Sequence, residues 1–196
     1  MSYLEKLKLG NEKFISKIKT ESDFKEQFER LARAQNPHTI VITCSDSRVV
    51  PEYIFHCEIG ELFVVRTAGG VLDSVALATV EFAVSAFDVK QIVVLGHTNC
   101  GAIAQAIKHL DEKENENPLL QKLIPIVTNV YRDITDEKDL LNRSVIENVK
   151  EQIRILENSE LIANKVKNKE VSIIPAVYNL ETGRVEFLKI ENGRNI

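Results

Sequence analysis

The stretch Thr39-Ile40-Val41-Ile42-Thr43-Cys44-Ser45-Asp46-Ser47-Arg48 decides the fold: an apolar run passes straight into a segment carrying a thiol, a carboxylate and a guanidinium. About fifty residues later the pattern recurs, as Gln91-Ile92-Val93-Val94-Leu95 leads to His97-Thr98-Asn99-Cys100-Gly101. Short apolar runs bounded by turn or helix-start signals read as buried strands of a parallel sheet. In an open α/β sheet, groups just past the carboxyl ends of adjacent strands converge on one crevice. Two sulfurs and an imidazole would then meet although they are far apart in the chain, which outlines a metal site.

Working outward, the expected class is α/β, with a mostly parallel central sheet flanked by helices, an N-terminal helical arm and a late edge hairpin or strand. A single domain is expected over 1–196, with the arm at 1–34 and the core at 35–196. Within the arm, Leu4, Leu7, Phe14, Ile15 and Ile18 share one helical face. Thr20-Glu21-Ser22-Asp23 is a capping signal, and Phe24, Phe28, Leu31 and Ala32 make a second stripe. Each helix leaves its stripe exposed until it packs on something, so the arm is expected on the main body or on a second subunit.

Asn36-Pro37 stops the second helix, because a residue before proline is pushed out of the α region. Between the two motifs, Pro51 opens a short helix over 52–56 and Glu61-Leu62-Phe63-Val64-Val65-Arg66 gives a strand. Ala68-Gly69-Gly70 permits a close backbone approach or a positive φ, and Asp73 caps a helix reaching about Phe87. After the second motif come a helix over 100–109, a charged solvated loop over 111–117 and a helical pattern from Pro118 with a kink at Pro125. One long helical segment is expected from Leu140 to Lys167, with Val145, Val149, Ile153 and Leu156 on its stripe. Residues 171–178 and 184–189 flank Glu181-Thr182-Gly183 as a hairpin-like pair, with Pro175 marking a sheet edge or bulge.

Composition narrows the function. At 196 residues, the chain is long enough to bury a substantial core. Twenty-five Lys+Arg against 29 Asp+Glu give a net charge of −4, which carries none of the basic character of a nucleic-acid binder. The opening residues lack the apolar core of a signal peptide and no stretch approaches the ~20 apolar residues of a membrane span, so a cytoplasmic protein is expected. Three cysteines argue for metal or catalytic use over a disulfide framework. Cys57 stands apart from the two motifs and reads as a small, buried or half-buried side chain.

Zinc favours thiolate and imidazole, and three protein ligands leave a fourth tetrahedral position open. Cys44, His97 and Cys100 supply such a set. A structural site would close the shell with a fourth Cys or His, and the spare thiol, Cys57, lies in an unrelated context. Zinc acidifies its bound water strongly relative to ~15.7 for bulk water. If residues 44–48 are extended, Cys44, Asp46 and Arg48 point to one side. Asp46 could then take a hydrogen bond or proton from the nucleophile while the planar fork of Arg48 holds it ionised. Alternatively, Asp46 could swing onto the metal and shut the site.

With these residues in view, the sequence resembles the β-class carbonic anhydrases. Cys44-Ser45-Asp46-Ser47-Arg48 and His97-Thr98-Asn99-Cys100-Gly101 are similar to the two signature segments of that family, and residues 60–69 resemble the block between them. The likeness is strongest from Gln35 to Ala106. The resemblance implies one Zn²⁺ per subunit on Cys44, His97 and Cys100, an Asp46–Arg48 catalytic dyad, and reversible hydration of carbon dioxide to bicarbonate and a proton. It further implies that Gln35 hydrogen-bonds the substrate, that the Gly101 N–H favours the developing anion, and that Phe63 and Phe82 help to make a narrow apolar pocket. A homodimer or higher even oligomer is implied, with the leading helices wrapped on the partner. Thr67 and Gly70 stand where many members have Asn, and Val41 stands where members with an allosteric bicarbonate pocket tend to have Trp. Two other readings fit the same residues: hydrolysis of carbonyl sulfide or carbon disulfide, and a non-catalytic zinc or bicarbonate-binding regulator.

Overall fold

The computed structural model describes residues 2–20, 22–111, 115–132, 134 and 136–189. Glu21 of the capping signal, the Ile18 and Phe24 side chains, and 112–114 of the charged run lie outside the described residues. The chain divides into two compact units, Met1–Asn36 and Pro37–Ile196. The first is a pair of helices, α1 (Tyr3–Thr20) and α2 (Ser22–Leu31). Ser2 Oγ accepts from the Glu5 N–H while Glu5 Oε2 accepts from the Ser2 N–H, a reciprocal cap that starts α1. The rings of Phe14 and Phe28 then meet edge-on, 5.3 Å between centroids, and pin the two helices together.

The second unit is built on a five-stranded sheet in the order β2-β1-β3-β4-β5. β1 (Thr39–Cys44) is buried along its whole length, as an interior strand covered on both faces must be. It pairs in parallel with β2 (Leu62–Thr67) on one side and β3 (Gln91–His97) on the other. β3 continues in parallel to β4 (Ser172–Tyr178), and short β5 (Val185–Phe187) closes the edge antiparallel to β4. The chain leaves β1 toward β2 and later enters β3 on the opposite side. The gap between β1 and β3 is therefore the topological switch point, where side chains at the carboxyl ends open onto a crevice.

Helices cover both faces. α3 (Pro51–Ile54) bridges β1 to β2, and a 3₁₀ turn (Ala68–Gly70) joins β2 to α4 (Ser74–Ala86), which the Asp73 carboxylate caps at the Ala76 N–H. α5 (Gly101–Lys108), α6 (Pro118–Tyr131), α7 (Glu137–Glu157) and α8 (Glu160–Lys167) follow. α7 lies close on β3 because Gly96 has no side chain. A Cβ there would come within 2.8 Å of Val149 Cγ2 and 3.0 Å of Val145 Cγ1.

Some expectations shift. The long segment from Leu140 to Lys167 is two helices, broken at Asn158-Ser159, where the Ser159 hydroxyl caps Ile162 and restarts the ladder as α8. α6 runs as one continuous helix through Pro125. The late hairpin is present as expected, as antiparallel β4 and β5 at the sheet edge, with β4 also paired to β3 over seven residues. Pro175 lies just outside the three-residue ladder that β5 makes with β4, where its missing N–H costs that ladder nothing.

Candidate metal centre

Cys44 closes β1, His97 closes β3, and Cys100 follows one turn later as the N-cap of α5. The turn works because Asn99 adopts φ +56°, a left-handed conformation that Asn tolerates better than most residues. The Thr98 N–H donates to Tyr178 O (2.9 Å) and the Thr98 hydroxyl accepts from the Leu180 N–H (3.0 Å), which ties the loop to the end of β4. As a result, the ligand atoms of Cys44, His97 and Cys100 all lie within 4.8 Å of one another, and all three residues are buried.

The chemistry of these donors suits a metal ion. His97 Nδ1 lies 2.9 Å from Thr98 O, so in the tautomer that donates to that carbonyl the Nε2 lone pair faces the sulfurs. Among the described residues this buried Nε2 has no hydrogen-bond partner, an arrangement that costs stability unless a cation fills it. The two thiols form a coupled pair. The hydrogen bond with Cys100 brings Cys44 down to about 4 although burial opposes it, while the same contact and burial push Cys100 up. Cys44 Sγ also accepts from the Gly69 N–H, at 3.3 Å.

Beside the sulfurs, Arg48 grips Asp46 with its fork. Nε donates to Oδ1 at 2.9 Å and Nη2 to Oδ2 at 2.7 Å. These hydrogen bonds hold the Asp46 carboxyl well below the usual carboxylate range. Oδ2 lies 4.0 Å from His97 Nε2, so the carboxylate borders the ligand cluster. The segment is not extended as expected. It turns, with the Val49 N–H donating to Asp46 O and the Arg48 N–H to Asp46 Oδ1, both at 3.0 Å. This Asx-type turn still delivers Arg48 to Asp46, by folding the chain back instead of by strand alternation.

Several supports escaped the reading of the sequence. Arg66 Nε and Nη2 donate to the carbonyls of Cys44 (3.2 Å) and Asp46 (2.7 Å), so β2 clamps the backbone of the motif. From α7, buried Asn148 donates to Gly69 O (2.7 Å), while buried Gln152 accepts from the Leu72 N–H (2.8 Å) and donates to Asn148 Oδ1 (2.8 Å). The turn that delivers the Gly69 N–H to Cys44 is therefore held from behind. Gly69 and Gly70 have φ of +67° and +68°, and a Cβ on Gly70 would lie 3.3 Å from the Thr43 carbonyl carbon, so both the positive φ and the close approach are realised. The available signal was a polar pair at i and i+4 beside an apolar stripe.

The remaining candidates fall elsewhere. Gly101 heads α5 with open space where a side chain would stand. Phe63 and Phe82 join Phe87 in an aromatic group, at 5.8–6.5 Å between centroids, of which Phe63 and Phe87 pack against the core. Phe63 pairs in register with Ile40, four positions and about 13 Å along the strand from Cys44. Phe82 is 58% exposed. Gln35 is exposed and belongs to the first unit. Cys57 is half-buried, and a cavity of about 440 Å³ is lined by Arg48, Val50, Tyr53, Ile54, Tyr178 and Gly183. Among the described residues no helix is long and apolar enough to cross a membrane.

Comparison with known proteins points one way. A family model described as carbonic anhydrase matches residues 39–185. Carbonic anhydrase 2 of Mycobacterium tuberculosis is 33% identical over 184 residues, covering 91% of this chain and 87% of that protein. The carbonic anhydrase of Mycolicibacterium smegmatis is 34% identical, over 92% and 89%. Among solved structures, the β-carbonic anhydrase CcaA superposes with a TM-score of 0.81 at 29% identity, covering 95% of each chain. One of two tetrameric β-carbonic anhydrases from Sordaria macrospora superposes with 0.80 at 26%, covering 96% and 97%.

Proposed function

Since the chain belongs to the β-class carbonic anhydrase family, we propose that it catalyses the zinc-dependent, reversible hydration of carbon dioxide to bicarbonate and a proton. The observation that carries this reading is the buried, unpartnered His97 Nε2 beside two sulfurs, with the Arg48-held Asp46 carboxylate at its rim. Cys44, His97 and Cys100 hold the metal. Zinc, when bound, supplies Lewis acidity that brings the pKa of water to near ~7.

The chain's own residues do the rest. Asp46 Oδ1 accepts twice from Arg48, through Nε and the backbone N–H, while Oδ2 accepts once, from Nη2, and so keeps a lone pair to orient the nucleophile and to hold its proton. Arg48 keeps Asp46 ionised and so able to accept. The Gly101 N–H, free at the start of α5, donates to the oxyanion that forms as carbon dioxide bends. Gln35 hydrogen-bonds the substrate. Phe63 and Phe82 enter a pocket only across a subunit boundary, which agrees with a dimer or higher even oligomer and with exposed Tyr3, Leu4 and Leu7 on α1.

The test is stopped-flow carbon dioxide hydration between about pH 6.5 and 9, bracketing water acidified to ~7, on protein whose zinc content is measured in the same sample. Turnover proportional to zinc is expected. Full zinc occupancy with no hydration at any pH would overturn the reading, and carbonyl sulfide and carbon disulfide assayed alongside would then reveal a different small substrate. Light scattering at micromolar concentration should return a dimer or a larger even assembly, and a monomer would contradict the subunit-boundary role of the two phenylalanines.

A further inference from the structure

At the opposite, amino-terminal end of β1 and β2, His38, Cys57 and Glu61 bring an imidazole nitrogen, a thiol and a carboxylate oxygen within 4.8 Å of one another. We propose that these three residues form a second metal site, taking a zinc-class divalent cation, separate from the catalytic centre. The six residue steps from His38 to Cys44 put the two sites about 20 Å apart along the strand.

Three different donor types converge from three places in the chain: the residue before β1, the link after α3, and the residue before β2. Each is fixed by its backbone. The His38 N–H donates to Glu61 O and His38 O accepts from the Lys90 N–H, both at 3.0 Å, while the Cys57 N–H donates to Glu52 O at 2.9 Å. The His38 ring is also oriented. Nδ1 lies 2.7 Å from Thr39 Oγ1, and a proton on Nδ1 leaves the Nε2 lone pair for a metal, the arrangement that outer partners impose on ligating histidines. Glu61 Oε2 accepts from the Glu58 N–H at 2.7 Å, leaving Oε1 to ligate.

Sulfur, nitrogen and oxygen at 2.0–2.3 Å from a tetrahedral zinc stand about 3.3–3.8 Å from each other. Small torsions of the exposed His38 and half-buried Glu61 side chains close the remaining distance. A thiolate and a carboxylate neutralise a divalent charge, and the soft sulfur favours zinc-class ions over magnesium or calcium. Burial, then the carboxylates of Glu61 and Glu52, push the Cys57 thiol up. The same negative field attracts a cation, whose binding releases the thiol proton.

The site is tested on the zinc-loaded enzyme by dialysis against micromolar free zinc and counting metal by mass spectrometry. Two zinc ions per chain are expected for the wild type, and one each for Cys57→Ser and His38→Gln, both with unchanged carbon dioxide turnover. Cobalt added to wild-type protein carrying a single zinc ion, at the first centre, should give a thiolate-to-cobalt absorption band that Cys57→Ser lacks. Should Cys57→Ser fold poorly, His38→Gln, altered at an exposed position, decides alone. One zinc in the wild type, or two retained by either folded variant, overturns the proposal. Neither result touches the assignment of the first centre, which Cys44→Ser addresses separately.

Discussion

The two ends of the parallel strands carry much the same donors in opposite surroundings. At the carboxyl end, Cys44, His97 and Cys100 are all buried, and the loops that bear them are tied down by Arg66, Thr98, Asn148 and Gln152. At the amino end, His38 is exposed, Cys57 and Glu61 are half-buried, and the anchoring is by local backbone hydrogen bonds with Thr39 Oγ1 beside the His38 ring and the Glu58 N–H on Glu61. Among the described residues, the buried imidazole nitrogen without a partner and the hydrogen-bonded pair of thiols lie at the first end. Ligand type makes a metal site at either place. Burial, together with the Arg48-held carboxylate at the rim, sets the first end apart.

Substitutions can break this contrast in descending order of effect. Cys44→Ser removes a thiolate from a buried set, so zinc content and carbon dioxide turnover should both fall to background, read by metal analysis and stopped flow. Asp46→Asn leaves the ligands intact, and zinc should stay while turnover drops by about 10²–10⁴-fold, the usual cost of a lost general acid/base. Unchanged turnover in that variant would remove Asp46 from its assigned role. Gln152→Leu keeps the volume but strands the Leu72 N–H and Asn148 Oδ1. It should cost about 1–3 kcal/mol in urea denaturation and about 10–100-fold in zinc affinity. Cys57→Ser, at the other end, should leave turnover where it was, and a large loss there would erase the distinction between the ends.

How much of this could be read beforehand follows from the range of the interactions. The parallel pairing of the two motif strands and the meeting of Cys44, His97 and Cys100 were legible, because strand patterning and ligand chemistry are written locally and the topology of an α/β sheet does the joining. The bidentate Asp46–Arg48 pair was legible as a pair, although not the turn that makes it. Asn148 and Gln152 were hidden in plain view: a helix stripe is read by its apolar members, and polar neighbours pass for surface until the loop they hold is known. The break at Ser159 was missed because the helical pattern runs on beyond it. Phe63 and Phe82 were assigned from matched positions and not from local chemistry, and in the fold they join Phe87 in an aromatic group.

The order in which these parts occur along the chain has a consequence during synthesis. The last of the three metal donors, Cys100, is made well before Asn148 and Gln152, which brace the Gly69 turn against Cys44. At ordinary translation speeds that interval is about 3–10 s. For those seconds a growing chain offers two thiols and an imidazole with no α7 behind them, a loose chelator exposed to whatever metal the surroundings hold. Which ion this donor set would take is therefore open to influence on the ribosome, before the bracing behind it has been made.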